Sequence, residues 1–149
     1  MERQAQLDSF IDRYTPEVAA DARHALAFMR ARLPTATRMV YDNYNALVVG
    51  FGAGPKVGDI IFSIAVYPRY VTLFFARGVE LPDPKGLLEG SGKGVRHVKL
   101  RPVSLLESPE VGALIDAASA IAEPPLPPAG EGPLIIKSIS AKQRPRRPA

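Results

Sequence analysis

Apolar residues recur at helical spacing through the first part of the chain. Between residues 4 and 14 they lie every three or four positions, which predicts a short first helix. Thr15 and Pro16 are residue types favoured at a helix N-cap and at the first helical position, so a second helix is expected from there to about Arg32. Pro34 cannot continue a helix, and the second helix is therefore expected to end before it.

The pattern changes to strand-like alternation over residues 37–101. Apolar residues there recur at every second position, as in residues 59–67, where Phe62 and Ile64 share one face with Val66. The turns between these runs are too short for a crossover helix, so neighbouring strands are expected to pair antiparallel. The expected strands are residues 37–42, 46–51, 59–67, 70–77 and 95–100.

A third helix is expected after the strands. Ser108 and Pro109 repeat the N-cap pattern, and an apolar stripe continues to about Ala122. The order of elements predicts an α+β fold, with an antiparallel sheet of four to six strands. The two N-terminal helices and the C-terminal helix are expected to pack on one face of that sheet.

The chain beyond this helix divides into a linker and a terminal segment. Residues 1–122 form the predicted domain, and the five prolines within residues 123–133 favour an extended linker. Residues 134–140 have strand character and are expected to dock on an edge of their own sheet or on a partner's. The basic tail, residues 144–149, is predicted to be disordered.

Composition narrows the classes of function. The 149 residues include no cysteine, which excludes disulfides, thiolate catalysis and cysteine-based zinc sites. No apolar run is long enough to cross a membrane and the N-terminus lacks a leader pattern, so a cytoplasmic location and no membrane partner are expected.

The positive charge of the chain is concentrated at its C-terminal end. Residues 134–149 hold five bases and no acid, whereas the preceding 133 residues hold 14 bases and 15 acids. A nucleic-acid-binding domain of the usual kind would spread its positive charge over the folded surface. Contact with nucleic acid is therefore expected only through the tail.

Residues 90–100 combine three glycines and a lysine with a cationic strand. Successive backbone N–H groups there can form an anion-binding nest, but neither the P-loop nor the dinucleotide pattern is met, so no nucleotide cofactor is predicted. If Val98 faces the core, Arg96 faces the same way and needs a carboxylate, such as Asp42 or Asp59, or an anionic ligand. The candidate anion site consists of Gly90, Gly92, Lys93, Gly94, Arg96, Tyr41 and Asp42.

The chain from about residue 10 to residue 121 resembles the YdhG-like family (DUF1801). The resemblance rests on the helix pair ending Arg32-Leu33-Pro34, the Met39-Val40-Tyr41-Asp42 strand, the hairpin ending Val71-Thr72-Leu73-Phe74, the Gly90-Ser91-Gly92-Lys93-Gly94 element and the helix after Ser108-Pro109. It implies a compact α+β domain around an antiparallel sheet. Some members are described as frataxin-like iron chaperones, which makes iron the cofactor or cargo that the resemblance implies.

Iron delivery requires clustered carboxylates, since ferrous iron prefers oxygen ligands. The candidate ligands are two pairs at helical spacing, Asp8 with Asp12 and Glu17 with Asp21. Arginines balance the acids of this region one for one, which favours an ordinary exposed helix face.

Three functions are compatible with these features. The leading hypothesis is a non-enzymatic protein that binds a small anionic ligand or acts as a chaperone, including a carrier of iron. The alternatives are an enzyme acting on a small phosphorylated or carboxylated metabolite, and an interaction module that uses the basic tail. A homodimer is expected for two reasons. Both sheet faces carry apolar residues while only three helices are available to cover them, and the strand-like residues 134–140 need an edge to dock on.

Overall fold

The structure is a computed structural model that describes residues 2–149. Three helices and a six-stranded sheet confirm the predicted α+β class. The helices are α1 (Arg3–Ile11), α2 (Pro16–Arg32) and α3 (Pro109–Ala120). The strands are β1 (Thr37–Asp42), β2 (Leu47–Gly52), β3 (Ile60–Val66), β4 (Val71–Phe75), β5 (Arg96–Lys99) and β6 (Leu134–Ile139). None of the helices within the described residues is long and apolar enough to cross a membrane.

Side-chain caps explain where the two longer helices begin. The Thr15 hydroxyl accepts a hydrogen bond from the Val18 N–H, and Pro16 follows at the first helical position. Ser108 caps α3 in the same way, accepting from the Val111 N–H. The predicted starts of both helices are therefore confirmed.

The sheet is mixed, with the strand order β5-β4-β3-β2-β1-β6. The first five strands pair antiparallel, as expected, but β6 lies parallel to β1. The prediction of a purely antiparallel sheet is therefore wrong at β6. The linker after α3 returns the chain to the start of β1, so β6 runs in the same direction as β1. Since β6 docks on its own chain, it no longer gives a reason to expect a homodimer, which stays a prediction.

The two faces of the sheet have different surroundings. On one face, Val40, Val49 and Ile64 lie in one row across the strands and belong to the core cluster that includes all three helices. On the other face, Met39 and Ala65 are buried outside that cluster. We call this second face the open face, because α1, α2 and α3 all pack on the opposite side.

The C-terminal tail is anchored by a buried ion pair. Nη2 of Arg146 lies 2.9 Å from Oδ1 of Asp42, and both side chains are only 2% exposed. Arg146 also donates to the Asn43 carbonyl at 2.6 Å, and its guanidinium lies over the Tyr14 ring. The predicted disorder of residues 144–149 is therefore wrong at Arg146, because a carboxylate on the buried face of β1 holds this residue in place.

The linker approaches the start of β1 at a glycine. The Gly132 N–H donates to the Pro34 carbonyl at 2.9 Å, and the Arg38 N–H donates to the Pro133 carbonyl at 2.8 Å. A Cβ atom at position 132 would overlap the carbonyl of Ala36. Only glycine allows this approach, which sets the register of β6 on β1.

The close approach at Gly132 predicts that Gly132→Ala destabilises the protein. We expect the free energy of unfolding to fall by about 1–3 kcal/mol, because the linker must move away from Ala36. Amide hydrogens of β6 should also exchange faster, while those of β3 keep their protection. The matched control is Gly58→Ala, whose Cβ would enter open space. Equal stability of the two variants in urea denaturation would contradict the prediction.

The buried ion pair predicts a large effect for Arg146→Met. Leaving the buried Asp42 carboxylate without this partner is expected to lower the free energy of unfolding by about 3–5 kcal/mol. The double variant Arg146→Met/Asp42→Leu should be more stable than Arg146→Met alone, because no buried charge is left unpaired. Arg147→Met, one residue further along the tail and exposed, serves as the control. A change no larger than that of the control, in chemical denaturation, would refute the prediction.

Candidate functional site

The glycine-rich stretch lies at the β5 edge of the sheet, and the Arg96 side chain forms hydrogen bonds with its backbone. Arg96 lies on the same face of the sheet as Val98, as predicted. This is the face on which α1, α2 and α3 pack, and we call it the helix-covered face. The guanidinium Nη1 of Arg96 donates to the carbonyls of Gly92, at 2.6 Å, and Val95, at 2.8 Å. The expected internal partners, Asp42 and Asp59, are therefore wrong: this short loop curls over the strand and presents its own carbonyls to the arginine.

The remaining members of the predicted anion site lie on β1. Three strands separate β1 from β5, which corresponds to roughly 19 Å at the usual strand spacing. The structure therefore does not bring Tyr41 and Asp42 together with Gly90, Gly92, Lys93 and Gly94. Asp42 is instead the partner of Arg146, and Tyr41 lies on the open face.

Tyr41 has a buried hydroxyl without a hydrogen-bond partner among residues 2–149. Burial raises the pKa of Tyr41 above its usual value, since the phenolate would lose its hydration. The hydroxyl is therefore neutral at physiological pH, and Tyr41 supplies no charge for an anion or a metal.

The candidate metal ligands do not form one ligand set. Asp12 pairs with Arg23, and Asp8 accepts a hydrogen bond from Gln4 at 3.0 Å. Within residues 2–149, no group of three or more histidine, aspartate or glutamate side chains could hold a metal ion. Glu17 and Asp21, on the next helix, therefore do not complete a site with Asp8 and Asp12.

A cavity of about 670 Å³ lies between α1, α2 and the helix-covered face of the sheet. Its volume is within the range of small-molecule sites in proteins. One wall is formed by the two helices, another by β1 and β2, and a third by the C-terminal segment. Most of its lining is apolar and includes Leu7, Ile11, Leu26, Val49, Phe51 and Leu134.

Arg38 places a positive charge in this apolar lining. It lies on the same face of β1 as Val40 and Asp42, and its side chain is partly buried. The guanidinium makes no hydrogen bond or ion pair with any other described residue. Burial lowers the pKa of Arg38 below its usual value, and the neighbouring charge of Arg30 lowers it further, while Glu131 acts in the opposite direction. An arginine nevertheless stays charged at neutral pH.

Further charged side chains line the cavity, and most of them are paired. Arg30 binds Glu131 at 2.9 Å, and Arg23 binds Asp12. Three arginines and two acids, Asp8 and Glu131, belong to the lining, which gives it a net positive charge. The cavity therefore offers one unpaired cation beside apolar walls, an arrangement suited to an anion with an apolar body.

The pattern of β1 contained a signal for Arg38. Strict alternation over residues 37–42 places Arg38, Val40 and Asp42 on one face, so an inward charge at Arg38 follows from the same alternation that turns Arg96 inward on β5. The pattern of residues does not reveal which of the two arginines finds an internal partner. For Arg96 the outcome depends on the loop before β5, whose Gly92 carbonyl accepts a hydrogen bond from the guanidinium. For Arg38 it depends on the C-terminal tail, which pairs with Asp42 and provides no partner for Arg38.

Comparison with known proteins returns no match: no family model matches the chain, and no curated protein or solved structure matches it. Membership of the YdhG-like family accordingly stays a prediction from the residues that carry the resemblance. The candidate function is therefore inferred from the geometry and chemistry of the chain's own residues.

Proposed function

We propose that this protein is a non-enzymatic binder of a small carboxylate with an apolar body, held in the cavity between the helix pair and the sheet. The observation that carries the proposal is the guanidinium of Arg38, which lines this cavity without an internal partner. The carboxylate would pair with Arg38, and the apolar body would lie against the side chains of α1, α2 and β2.

The cost of leaving Arg38 unpaired supports an anionic ligand. Removing a guanidinium from water without a partner is unfavourable, and a carboxylate can accept two parallel hydrogen bonds from it. Asp42, on the same face of β1, shows the contrasting case, since Arg146 and Arg13 both pair with it. On the helix-covered face of β1, the Asp42 carboxylate is therefore paired within the chain, whereas the Arg38 guanidinium, unpaired within residues 2–149, remains free to pair with a ligand.

The residue types in the cavity favour binding over catalysis. Its lining includes no serine, threonine, histidine, lysine or tyrosine that could act as a nucleophile or a proton carrier. Glu131 is paired with Arg30, and Asp8 accepts a hydrogen bond from Gln4. The alternative of an enzyme acting on an anionic metabolite has less support for this reason.

The proposal predicts that an aliphatic carboxylate binds more tightly than the matching alcohol. Decanoate and 1-decanol share the same alkyl chain, and only decanoate can pair with Arg38. Arg38→Met is expected to weaken decanoate binding about 10- to 100-fold, since a hydrogen bond to a charged group contributes about 1.5–3 kcal/mol. Isothermal titration calorimetry gives the affinities, and ligand-induced shifts of the melting temperature give an independent check.

The control variant is Arg69→Met, which removes an exposed arginine outside the cavity. It should bind decanoate as the unmodified protein does. Arg38→Met should keep or raise the melting temperature of the free protein, because it removes a partly buried unpaired charge. Equal affinity for decanoate and 1-decanol, or unchanged decanoate affinity in Arg38→Met, would refute the proposal.

A further inference from the structure

The open face carries an aromatic and cationic patch over β3, β4 and β5. Tyr67 and Tyr70 flank the turn between β3 and β4, with their ring centroids 5.2 Å apart. Lys99 and Arg101 both lie over the Tyr70 ring, at 5.2 Å and 4.9 Å from its centroid. We call this set the open-face patch, and its members are Tyr67, Tyr70, Phe74, His97, Lys99 and Arg101.

The patch continues along the strands through a second pair of rings. Phe74 and His97 are cross-strand partners on β4 and β5, and their ring centroids are 5.2 Å apart. Phe74, Tyr67 and Tyr70 are all partly exposed. Burial raises the pKa of Tyr67, and the adjacent Tyr70 raises it further, so the Tyr67 ring stays neutral at physiological pH. Two pairs of partly exposed aromatic rings therefore lie on the open face, one at the turn between β3 and β4 and one across β4 and β5.

The charges of the patch lack acidic partners. Neither Lys99 nor Arg101 forms an ion pair with any of the described residues, and their interactions with Tyr70 hold the two cations beside the rings. Among the ion pairs of residues 2–149, the one that involves a member of the patch joins the Glu89 carboxylate to Nε2 of His97 at 3.4 Å. The patch therefore has a net positive charge that no internal group neutralises.

The segment of the chain that contains the patch is positively charged, and the segment that follows it is negatively charged. Residues 67–101 hold seven bases and three acids, whereas residues 102–133 hold five acids and no base. The near neutrality of the body thus results from two opposite regions. The positive region includes β4, β5 and their loops, with the exposed Arg69 and Lys93 beside the patch.

We propose that the open-face patch binds single-stranded nucleic acid. Bases would stack on the partly exposed rings of Tyr67 and Phe74, and phosphates would contact Lys99 and Arg101. A single strand is required, because the bases of a duplex are stacked on each other and their faces are not free. The positive charge argues against a second copy of this chain as the occupant, since two such patches would repel each other. The site is on the opposite side of the sheet from the cavity and does not depend on the function proposed there.

Fluorescence anisotropy with labelled oligothymidylate and oligouridylate of twelve nucleotides tests this proposal. The full chain should bind the single strands, and the affinity should fall as NaCl rises from 50 to 200 mM. Lys99→Gln/Arg101→Gln should weaken binding and reduce the slope of log affinity against log salt by roughly 0.7 for each phosphate that the variant no longer neutralises. Binding to either oligonucleotide supports the proposal, and the ratio of the two affinities distinguishes RNA from DNA.

Two single variants test stacking. Tyr67→Leu and Phe74→Leu keep an apolar side chain on the sheet but remove the aromatic ring, and each should weaken binding about 5- to 100-fold. Their salt slope should match that of the unmodified protein. Lys56→Gln and Lys142→Gln, which remove exposed lysines outside the patch, serve as matched controls and should bind normally. Circular dichroism and melting temperatures confirm that each variant is folded.

Any of the following results would overturn the proposal. The first is no saturable binding of either oligonucleotide by the unmodified protein at 50 mM NaCl. The second is binding to a twelve-base-pair duplex as tight as to the single strands. Another is binding that none of the four patch substitutions affects. The last is self-association in sedimentation velocity that Phe74→Leu or Lys99→Gln/Arg101→Gln abolishes, since the patch would then be an interface between two copies of the chain.

Discussion

The ion pair between Asp42 and Arg146 is the constraint on which the docking of β6 along β1 depends. It fixes the last residues of the chain at the end of β1, while the close approach of Gly132 to Ala36 fixes the linker at the start of β1. The strand between these two points, β6, is thereby held along the whole edge of β1. The same segment supplies Glu131 and Leu134 to the wall of the cavity, so the cavity exists in this form only while the tail stays in place.

The first strand connects stability with the proposed function. Its helix-covered face carries two charged side chains, Arg38 and Asp42, and within residues 2–149 only Asp42 forms ion pairs with other parts of the chain. Asp42 receives Arg146 and Arg13, which makes it part of the folded core. Arg38 receives no partner and lines a cavity with apolar walls. A partly buried charge without a partner reduces stability. Its position at the wall of a cavity is the reason for proposing that a ligand pairs with it.

Local patterns in the sequence predicted the elements of the fold but not all of their arrangement. The caps at Thr15 and Ser108 depend on residues within one turn, and the short turns between β2, β3 and β4 allow only antiparallel pairing, so both were predictable. The direction of β6 was not predictable, because a proline-rich linker of eleven residues permits both parallel and antiparallel pairing with an edge strand. The order at Arg146 was not predictable either, since its partner lies 104 positions away in the chain.

The predicted anion site shows the same limit. Alternation placed Arg96 on the helix-covered face, but the loop that contains Gly92 closes over the strand and pairs with it. The two proposed sites instead follow from where unpaired cations remain. On the helix-covered face, Arg38 lies beside a concave apolar surface, which suits one small anion with an apolar body. On the open face, Lys99 and Arg101 lie beside flat aromatic rings, which suit a chain of phosphates with stacked bases. The sheet separates the two faces, so each site is determined by the shape of its own surroundings and not by the charge alone.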